Sequence, residues 1–302
     1  MTDEGITAAL VALEERVDRA LSTGDEGDID ILGYGEISSV LACDTPAGRM
    51  ACKRLPLFDG ADRVAAYSAL FRVYLDRLRA AGVEPVRSTL YELPRPDGQL
   101  TVYCVQPVLD ADGLAPRVLE RLSVAEGSKL FEQILDGVFD ICRDGSGIDA
   151  QLQNWALADG RLVYMDVTTP FLRDARGRDL LDTEIFVASL PWALRKPVLA
   201  LAVGAILEKW YHPRGAVLDL LGNLIKEGLS RWIPSFVAAT NRRLRPEHGD
   251  PLTVREVERY YAGDARLWGL LQLLRRADRA WQVRVRRRPY QFLLPGKIAR
   301  NV

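Results

Sequence analysis

The pattern of hydrophobic residues differs between the first third of this chain and the remainder, and that difference limits its possible folds most. Short extended runs alternate with two helical stretches up to about residue 106, whereas only helical patterns occur from about 180 to 282. Strands followed by helices are typical of the α+β class, in which sheet and helices occupy separate parts of the fold. We therefore predict a small β-rich lobe and a larger, mainly helical lobe, with a ligand-binding cleft between them.

Turn residues and helix-capping signals set the boundaries of the predicted elements. Helices are predicted over 6–21, over 61–81 and from Ser123 to about Cys142, and extended runs over 29–32, 37–43, 50–55, 83–93 and 100–105. Asp159-Gly160 predicts a hairpin joining 155–158 to 162–165. We divide the chain into an N-terminal amphipathic helix with an acidic linker (1–29), a β-rich lobe (30–106) and a helical lobe (107–302).

Several kinds of site lack the residues they need. The chain has only two histidines, which excludes a His-rich metal site, and its four cysteines show no Cys-x-x-Cys spacing. We expect the cysteines to be small buried side chains in a reducing compartment. The start of the chain lacks the basic residues of a signal peptide, and the longest uncharged apolar stretch spans only 197–207. The expected location is the cytoplasm, without a transmembrane segment.

The net charge of −1 conceals an acidic N-terminus and a basic C-terminus. Residues 1–30 contain nine acids and two arginines, whereas residues 241–302 contain six acids and fifteen bases. The arginines between 275 and 288, with Trp281 and Tyr290 near them, could bind nucleic acid or an anionic membrane surface. The alternative is that these arginines are solvated or are neutralised by the acidic N-terminus.

Three segments carry residue types suited to phosphate and metal chemistry. Gly33-Tyr34-Gly35 lies between predicted strands, where glycines let backbone N–H groups approach a phosphate, although an ordinary hairpin uses the same residues. Lys53 is the only lysine among the first 128 residues and lies on a predicted strand, where a surface lysine is the alternative. Asp149, Asn154 and Asp166 offer the oxygen ligands that Mg²⁺ prefers, although capping of turns would also explain them.

In this order, the segments resemble the phosphoryl-transfer motifs of the protein-kinase-like superfamily. The chain looks closer to the small-molecule branch, typified by aminoglycoside phosphotransferases and choline kinases, than to Ser/Thr kinases. The resemblance covers roughly 31–170, under half the chain. It is carried by Gly33, Gly35 and Val40 of the glycine loop, Lys53 of the strand motif, Asp149 and Asn154 of the catalytic loop, and Asp166 of the Asp-Phe-Gly motif.

The resemblance implies a kinase that uses ATP and Mg²⁺ to phosphorylate a hydroxyl of a small-molecule metabolite. Each implied role belongs to a matching position. Gly33–Ser38, with Tyr34, would cover the triphosphate; Lys53 would bind the α- and β-phosphates; Gln106–Leu109, with Val108, would bind adenine through backbone groups; Asn154 and Asp166 would hold Mg²⁺; and Asp149 would orient and deprotonate the acceptor hydroxyl. In the helical lobe, Asp182, Glu184 and Glu208 could contact a cationic substrate.

The sequence also departs from the family pattern. Ser38 replaces the third glycine, Gly147-Ile148 replaces the residues usual before the catalytic aspartate, and Val167-Thr168 replaces Phe-Gly. The predicted helix 61–81 contains no glutamate to pair with Lys53, and Asp76 is its nearest candidate. These departures leave a pseudokinase open, that is, a nucleotide-binding regulatory or scaffolding module without phosphoryl transfer. A protein that binds nucleic acid through its basic C-terminal segment is a second alternative, and the oligomeric state stays open.

Overall fold

The computed structural model describes residues 3–35, 38–187, 190–198, 203–287 and 290–294. Within these ranges the chain is α+β, as predicted, with a small antiparallel sheet in the first third of the chain and a mostly helical remainder. None of the described helices combines the length and the apolar character needed to cross a lipid bilayer.

Eight strands lie within the described residues. In chain order they are β1 (Ile31–Tyr34), β2 (Ser39–Thr45), β3 (Gly48–Arg54), β4 (Glu84–Pro85), β5 (Thr89–Pro94), β6 (Leu100–Pro107), β7 (Trp155–Ala158) and β8 (Arg161–Tyr164). Five of them form one antiparallel sheet in the order β1-β2-β3-β6-β5. Because β3 is central, Lys53 lies between Val40 on β2 and Cys104 on β6.

The other three strands form a second sheet in the order β4-β8-β7, in which β4 runs parallel to β8. The prediction of one extended run over 83–93 is therefore wrong, because β4 and β5 belong to different sheets. Just after β4, the Val86 N–H still donates to the Tyr164 carbonyl of β8 at 2.9 Å. The backbone leaves this sheet after that bond and enters the main sheet at β5. The predicted hairpin is confirmed, with φ of 50° at Asp159 and 73° at Gly160.

Helices account for most of the remaining described residues. They are α1 (Asp3–Thr23), α2 (Ala61–Ala80), α3 (Ala115–Arg121), α4 (Val124–Arg143), α5 (Glu184–Val187), α6 (Trp192–Val198), α7 (Gly204–Glu208), α8 (Pro213–Lys226), α9 (Ile233–Arg243) and α10 (Val254–Arg284). The first, second and fourth confirm the predicted helices. At the start of α4 the predicted capping box forms, since Ser123 and Glu126 each accept a backbone N–H bond from the other residue.

The main sheet is covered on both faces, and alternation along β3 decides which side chain meets which face. Cys52 packs in a hydrophobic cluster with Leu10 and Val17 of α1. Cys104, one position along the pleat from Tyr103, packs in the other cluster, which includes the buried side chains of α2. Lys53 alternates with Cys52 and consequently points away from α1. Cys43, Cys52 and Cys104 are buried and free, as expected, whereas Cys142 is half-buried.

A buried ion cluster around Glu14 of α1 joins that helix to the sheet. Glu14 accepts hydrogen bonds from Arg54 at 2.9 and 2.8 Å, from Arg95 at 2.6 Å, from Thr101 at 2.9 Å and from Tyr103 at 2.6 Å. Burial alone would raise the pKa of Glu14, but the hydrogen bond and charge of Arg54, and then the two hydroxyls, lower it below its ordinary value. Glu14 is therefore paired with two arginines and two hydroxyl donors and is not an isolated buried charge.

The helical part is organised around α8, which is buried along most of its length and contacts α4, α9 and α10. After α10, the chain returns to the sheet: Leu293 packs in the α1 cluster, and the Gln291 carbonyl accepts a 3.1 Å bond from Arg54. The basic C-terminal segment is thus not uniformly solvated. Arg275 is buried, whereas Arg284 is exposed.

Candidate active site

Lys53 on β3 and Asp166 just after β8 form the centre of the candidate site. They are 113 positions apart in sequence, yet the Lys53 Nζ and an Asp166 carboxylate oxygen are 2.6 Å apart. Their side chains are only 16% and 22% exposed, so water weakens the interaction less than it would at the surface. The Thr168 hydroxyl donates to the same oxygen at 3.3 Å. The structure therefore brings together two of the residues predicted to handle phosphate and metal.

The Gln106 side chain fixes the backbone next to Asp166. Its amide nitrogen donates to the Met165 carbonyl at 2.9 Å and to the Ser88 hydroxyl at 3.0 Å. Gln106 itself lies within β6, opposite Ala51 of β3. It thus ties the main sheet to the turn that carries Asp166, a side-chain role that the predicted backbone contact with adenine did not include. Val108, the first residue after β6, is 39% exposed.

Asp149 lies in the loop after α4, and other side chains hold that loop through its backbone. The Asn154 amide and the Tyr164 hydroxyl donate to the Asp149 carbonyl at 3.0 and 3.1 Å. The Tyr74 hydroxyl of α2 donates to the Gly147 carbonyl at 3.0 Å. These three bonds hold the backbone at Gly147 and Asp149 in place. The loop geometry is consequently set by residues from α2, β8 and the loop itself.

The pKa of Asp149 is raised well above its ordinary value, chiefly by burial and then by the negative charges of Asp219 and Asp166. Lys209 and a hydrogen bond from the Gln151 N–H act in the opposite direction but do not cancel this effect. A carboxylate with a raised pKa is a stronger proton acceptor than an ordinary aspartate. Asp149 therefore has the property that a general base for a hydroxyl group needs.

A buried polar cluster lies beside Asp149, and the sequence analysis missed it. Asp219 of α8 is 1% exposed and accepts hydrogen bonds from Lys209 at 2.8 Å, from Gln151 at 3.1 Å and also from Tyr260 of α10. Although burial lowers the pKa of Lys209, the Asp219 charge and Tyr260 raise it, so the ammonium stays protonated. A single acid within the apolar run Ala216–Leu221 was the available signal, because a buried carboxylate requires partners.

The helix α2 meets the site through tyrosines instead of a carboxylate. Asp76 is exposed and pairs with Arg79 at 3.1 Å, so it is not the partner of Lys53, and that suggestion from the sequence was wrong. The fully buried hydroxyl of Tyr67 donates to the Thr168 carbonyl at 2.8 Å. Together with Tyr74, it ties α2 to the segments that carry Asp166 and Asp149. The position of α2 is thereby linked to the geometry of both aspartates.

The glycine turn between β1 and β2 is tight. The Gly35 N–H donates to the Ser38 carbonyl at 2.9 Å, and a Cβ on Gly35 would lie 2.8 Å from the Ser38 hydroxyl oxygen. Gly33 lies in β1 opposite Val40. The side chain of Tyr34 is exposed and donates to Glu26 at 3.1 Å, and burial and the Glu26 charge raise its pKa to about 12. The remaining loop residues, 36 and 37, lie outside the described residues.

Asn154 and Asp166 are the residues of the candidate site that could contribute oxygen ligands to Mg²⁺. Among the described residues, no cluster of three or more His, Cys, Asp or Glu side chains could hold a metal ion. Mg²⁺ commonly takes one or two protein oxygens and completes its shell with phosphates and water. The Asn154 amide nitrogen is bound to the Asp149 carbonyl, which leaves its oxygen as a ligand, and Asp166 supplies a second hard oxygen.

The three acids proposed to meet a cationic substrate already have protein partners. Arg63 of α2 lies 3.4 Å from both Asp182 and Glu184. Glu208 pairs with Arg173 at 2.7 Å and with His212 at 2.8 Å. The Arg63 pairs join α2 to the segment that begins α5, and a substrate would have to compete with them.

One protein family matches this chain. The model of a family described as "Family of unknown function (DUF6206)" matches residues 12–279, and the chain belongs to that family. The matched range includes Glu14, every residue of the candidate site and most of α10. No curated protein matches the chain.

Proposed function

We propose that this protein is a phosphotransferase of the protein-kinase-like type that uses ATP and Mg²⁺ to phosphorylate a hydroxyl of a small molecule. One observation carries the proposal: Lys53 and Asp166 belong to motifs 113 positions apart, yet their side chains meet at 2.6 Å in a partly buried position. Neither local sequence nor turn capping would require a lysine and an aspartate so far apart in the chain to meet.

The arrangement of elements supports the same proposal. An antiparallel sheet with Lys53 on its central strand precedes a helical part, and the β7–β8 hairpin separates Asn154 from Asp166. That order is typical of a bilobal protein-kinase-like fold, in which nucleotide binds between the lobes. The tight turn at Gly35 lies at the end of β1, where the glycine loop of that fold covers phosphates.

Each residue of the candidate site would then have a separate role. Bound ATP would supply the phosphoryl group that is transferred, and Mg²⁺ would offset the negative charge of the phosphates. Asn154 and Asp166 would hold the ion through oxygen atoms, and the Lys53 ammonium would position the phosphates that it meets. Asp149 would orient the acceptor hydroxyl and take its proton, an event favoured by the raised pKa of this carboxyl group.

One observation favours a second candidate, a nucleotide-binding module without phosphoryl transfer. In protein kinases, a glutamate of the helix beside the sheet pairs with the strand lysine. Here α2 contains no glutamate, and Lys53 pairs instead with Asp166, which is also the proposed metal ligand. A permanent Lys53–Asp166 bond would reduce the capacity of Asp166 to hold Mg²⁺.

Thermal unfolding with ATP, with and without Mg²⁺, tests the proposal. We expect ATP to raise the Tm of the wild-type protein only when Mg²⁺ is present, and Asp166→Asn to lose this effect. Asp62→Asn is the matched control, since Asp62 is an exposed residue in the first turn of α2. A wild-type Tm that does not respond to Mg-ATP would refute the proposal. Stabilisation without ADP formation across a panel of small hydroxyl compounds would favour the module.

A further inference from the structure

The second half of α10 carries apolar side chains that the rest of the described chain leaves exposed. The first half of the helix is packed: Tyr260 lies against Gly222 of α8, and Val257 and Ala265 are buried. Beyond Ala265, the side chains of Trp268, Leu271 and Leu274 are half-buried, whereas four other large apolar side chains are 45% to 65% exposed. They are Leu267, Leu270, Leu273 and Trp281. Isolated exposed leucines are common, but four along one helix require an explanation.

Arginines lie on the same side of α10 as these apolar residues. At about 100° per residue, Leu270, Leu273 and Trp281 fall within an arc of roughly 80° around the helix axis. The exposed arginines at 259, 266 and 284 fall within the same arc. The four acids of α10, Glu256, Glu258, Asp264 and Asp278, all lie outside it. Leu267 and Glu256 lie about 40° and 20° beyond one edge of this arc, and Glu256 is paired with Arg214. The arc itself therefore carries apolar and positive groups, and its nearest acid is already neutralised.

The three arginines are available to an external partner. None of the ion pairs formed among the described residues includes Arg259, Arg266 or Arg284. From Arg259 to Arg284 the helix extends about 38 Å at 1.5 Å per residue, with the leucines between the two ends. Arg286 and Arg287, which follow the helix, are also exposed and add positive charge at the end that carries Trp281.

We propose that this face of α10 lies on an anionic lipid surface. Leucine and tryptophan side chains would enter the boundary between headgroups and acyl chains, while the arginines would bind lipid phosphates beside them. Long arginine side chains beside apolar ones can reach lipid phosphates while their aliphatic parts stay in contact with apolar surface. The charge complementarity with anionic headgroups, rather than the apolar side chains alone, identifies the partner. The proposal does not depend on the phosphotransferase activity.

A second copy of this chain fits the same face less well. In an antiparallel pair centred between Leu270 and Leu273, Arg259 of one helix would lie opposite Arg284 of the other. In a parallel pair each arginine would lie opposite its own copy. Both arrangements place like charges together without an acid to offset them. Nucleic acid is also a poorer match, because its phosphates would meet Leu270 and Leu273 at the centre of the face.

Flotation of the full-length protein with lipid vesicles tests the proposal. We expect the protein to float with vesicles of equimolar phosphatidylserine and phosphatidylcholine, but not with vesicles of phosphatidylcholine alone. Replacing Arg259, Arg266 and Arg284 by glutamine should weaken partition roughly 100-fold, since each basic residue near the surface contributes about a factor of five. Leu270→Ser with Leu273→Ser should weaken it comparably, although it leaves the charge unchanged.

A matched control removes the same charge elsewhere. Glutamine at Arg72, Arg87 and Arg161, which are exposed outside α10, should leave partition within about twofold of wild type. The Tm of each variant confirms that the fold is intact. The proposal is wrong if wild type does not float with anionic vesicles, or if the leucine variant floats as well as wild type. It is also wrong if the leucine variant changes only a dimer to a monomer.

Discussion

Glu14→Gln is the substitution whose effect on stability follows most directly from the structure. Glutamine preserves the shape of the side chain but removes the negative charge that Arg54 and Arg95 share. Arg95 retains Asp18, to which it donates two bonds of 3.0 Å. Arg54, which is 7% exposed, then has the Gln291 carbonyl as its remaining acceptor among the described residues. The cost is therefore concentrated on one buried guanidinium.

Removing one partner of a buried ion pair typically costs about 3–5 kcal/mol in the free energy of unfolding. Because glutamine can still accept a hydrogen bond, we expect the lower end, about 3 kcal/mol, and a Tm lowered by roughly 6–12 °C. Urea unfolding followed by circular dichroism measures this loss. Glu15→Gln is the matched control, since Glu15 is the exposed neighbour on α1 and its loss should cost under about 0.5 kcal/mol.

Two further measurements separate the ion cluster from a general packing defect. Glu14→Met combined with Arg54→Met should recover part of the lost stability, because the double variant removes the buried Arg54 charge although the Thr101 and Tyr103 hydroxyls still lose their acceptor. The folded-state pKa of Glu14 is lowered, so its contribution is complete above the ordinary glutamate pKa and is lost as pH falls through the folded value. In the Glu14→Gln protein, the free energy of unfolding should therefore fall less steeply at acid pH than it does in wild type. A Glu14→Gln protein as stable as wild type would refute this reasoning.

Three other predictions concern the candidate site. Because the pKa of Asp149 is raised, its carboxylate form appears only as pH rises through that value. The rate of phosphoryl transfer should therefore keep increasing at pH values where an ordinary aspartate is already fully ionised. A rate that is flat from mildly acidic to neutral pH would contradict this. Tyr74→Phe leaves the Gly147 carbonyl without its 3.0 Å donor and should cost about 1–2 kcal/mol in urea unfolding, whereas an unchanged midpoint would show that the bond does not hold the loop. Asp219→Asn leaves the Lys209 ammonium buried without its counter-charge and should lower the free energy of unfolding by about 3 kcal/mol. Adding Lys209→Met should restore part of this loss. No recovery in the double variant would rule out the ion pair as the cause.

Local patterns in the sequence sufficed for elements that local chemistry determines. The capping box at Ser123, the Asp159-Gly160 hairpin and the amphipathic helices all depend on residues within a few positions of one another. The meeting of Lys53 with Asp166 could be anticipated only through the resemblance of ordered motifs, because no local pattern connects residues 113 positions apart.

Non-local contacts account for what the sequence analysis missed. The run 83–93 reads as one strand, but β4 pairs with β8, nearly 80 positions later, and only that pairing ends the strand after Pro85. Glu14 is four residues after Leu10 and lies on the apolar face of the predicted helix, but only the docking of α1 on the sheet supplies its partners Arg54, Arg95 and Tyr103. For Gln106 the sequence analysis predicted only a backbone contact with adenine, whereas in the structure its side-chain amide donates to the Met165 carbonyl.

The most direct test of the account is the formation of ADP from Mg-ATP by wild type and by Asp149→Asn, measured alongside ATP binding to both. The account predicts that wild type forms ADP when a suitable hydroxyl compound is present, and that Asp149→Asn binds ATP equally well but forms ADP at least about 100-fold more slowly. Equal rates in the two proteins, with Mg-ATP bound to both, would contradict the central claim that Asp149 and its neighbours transfer phosphate.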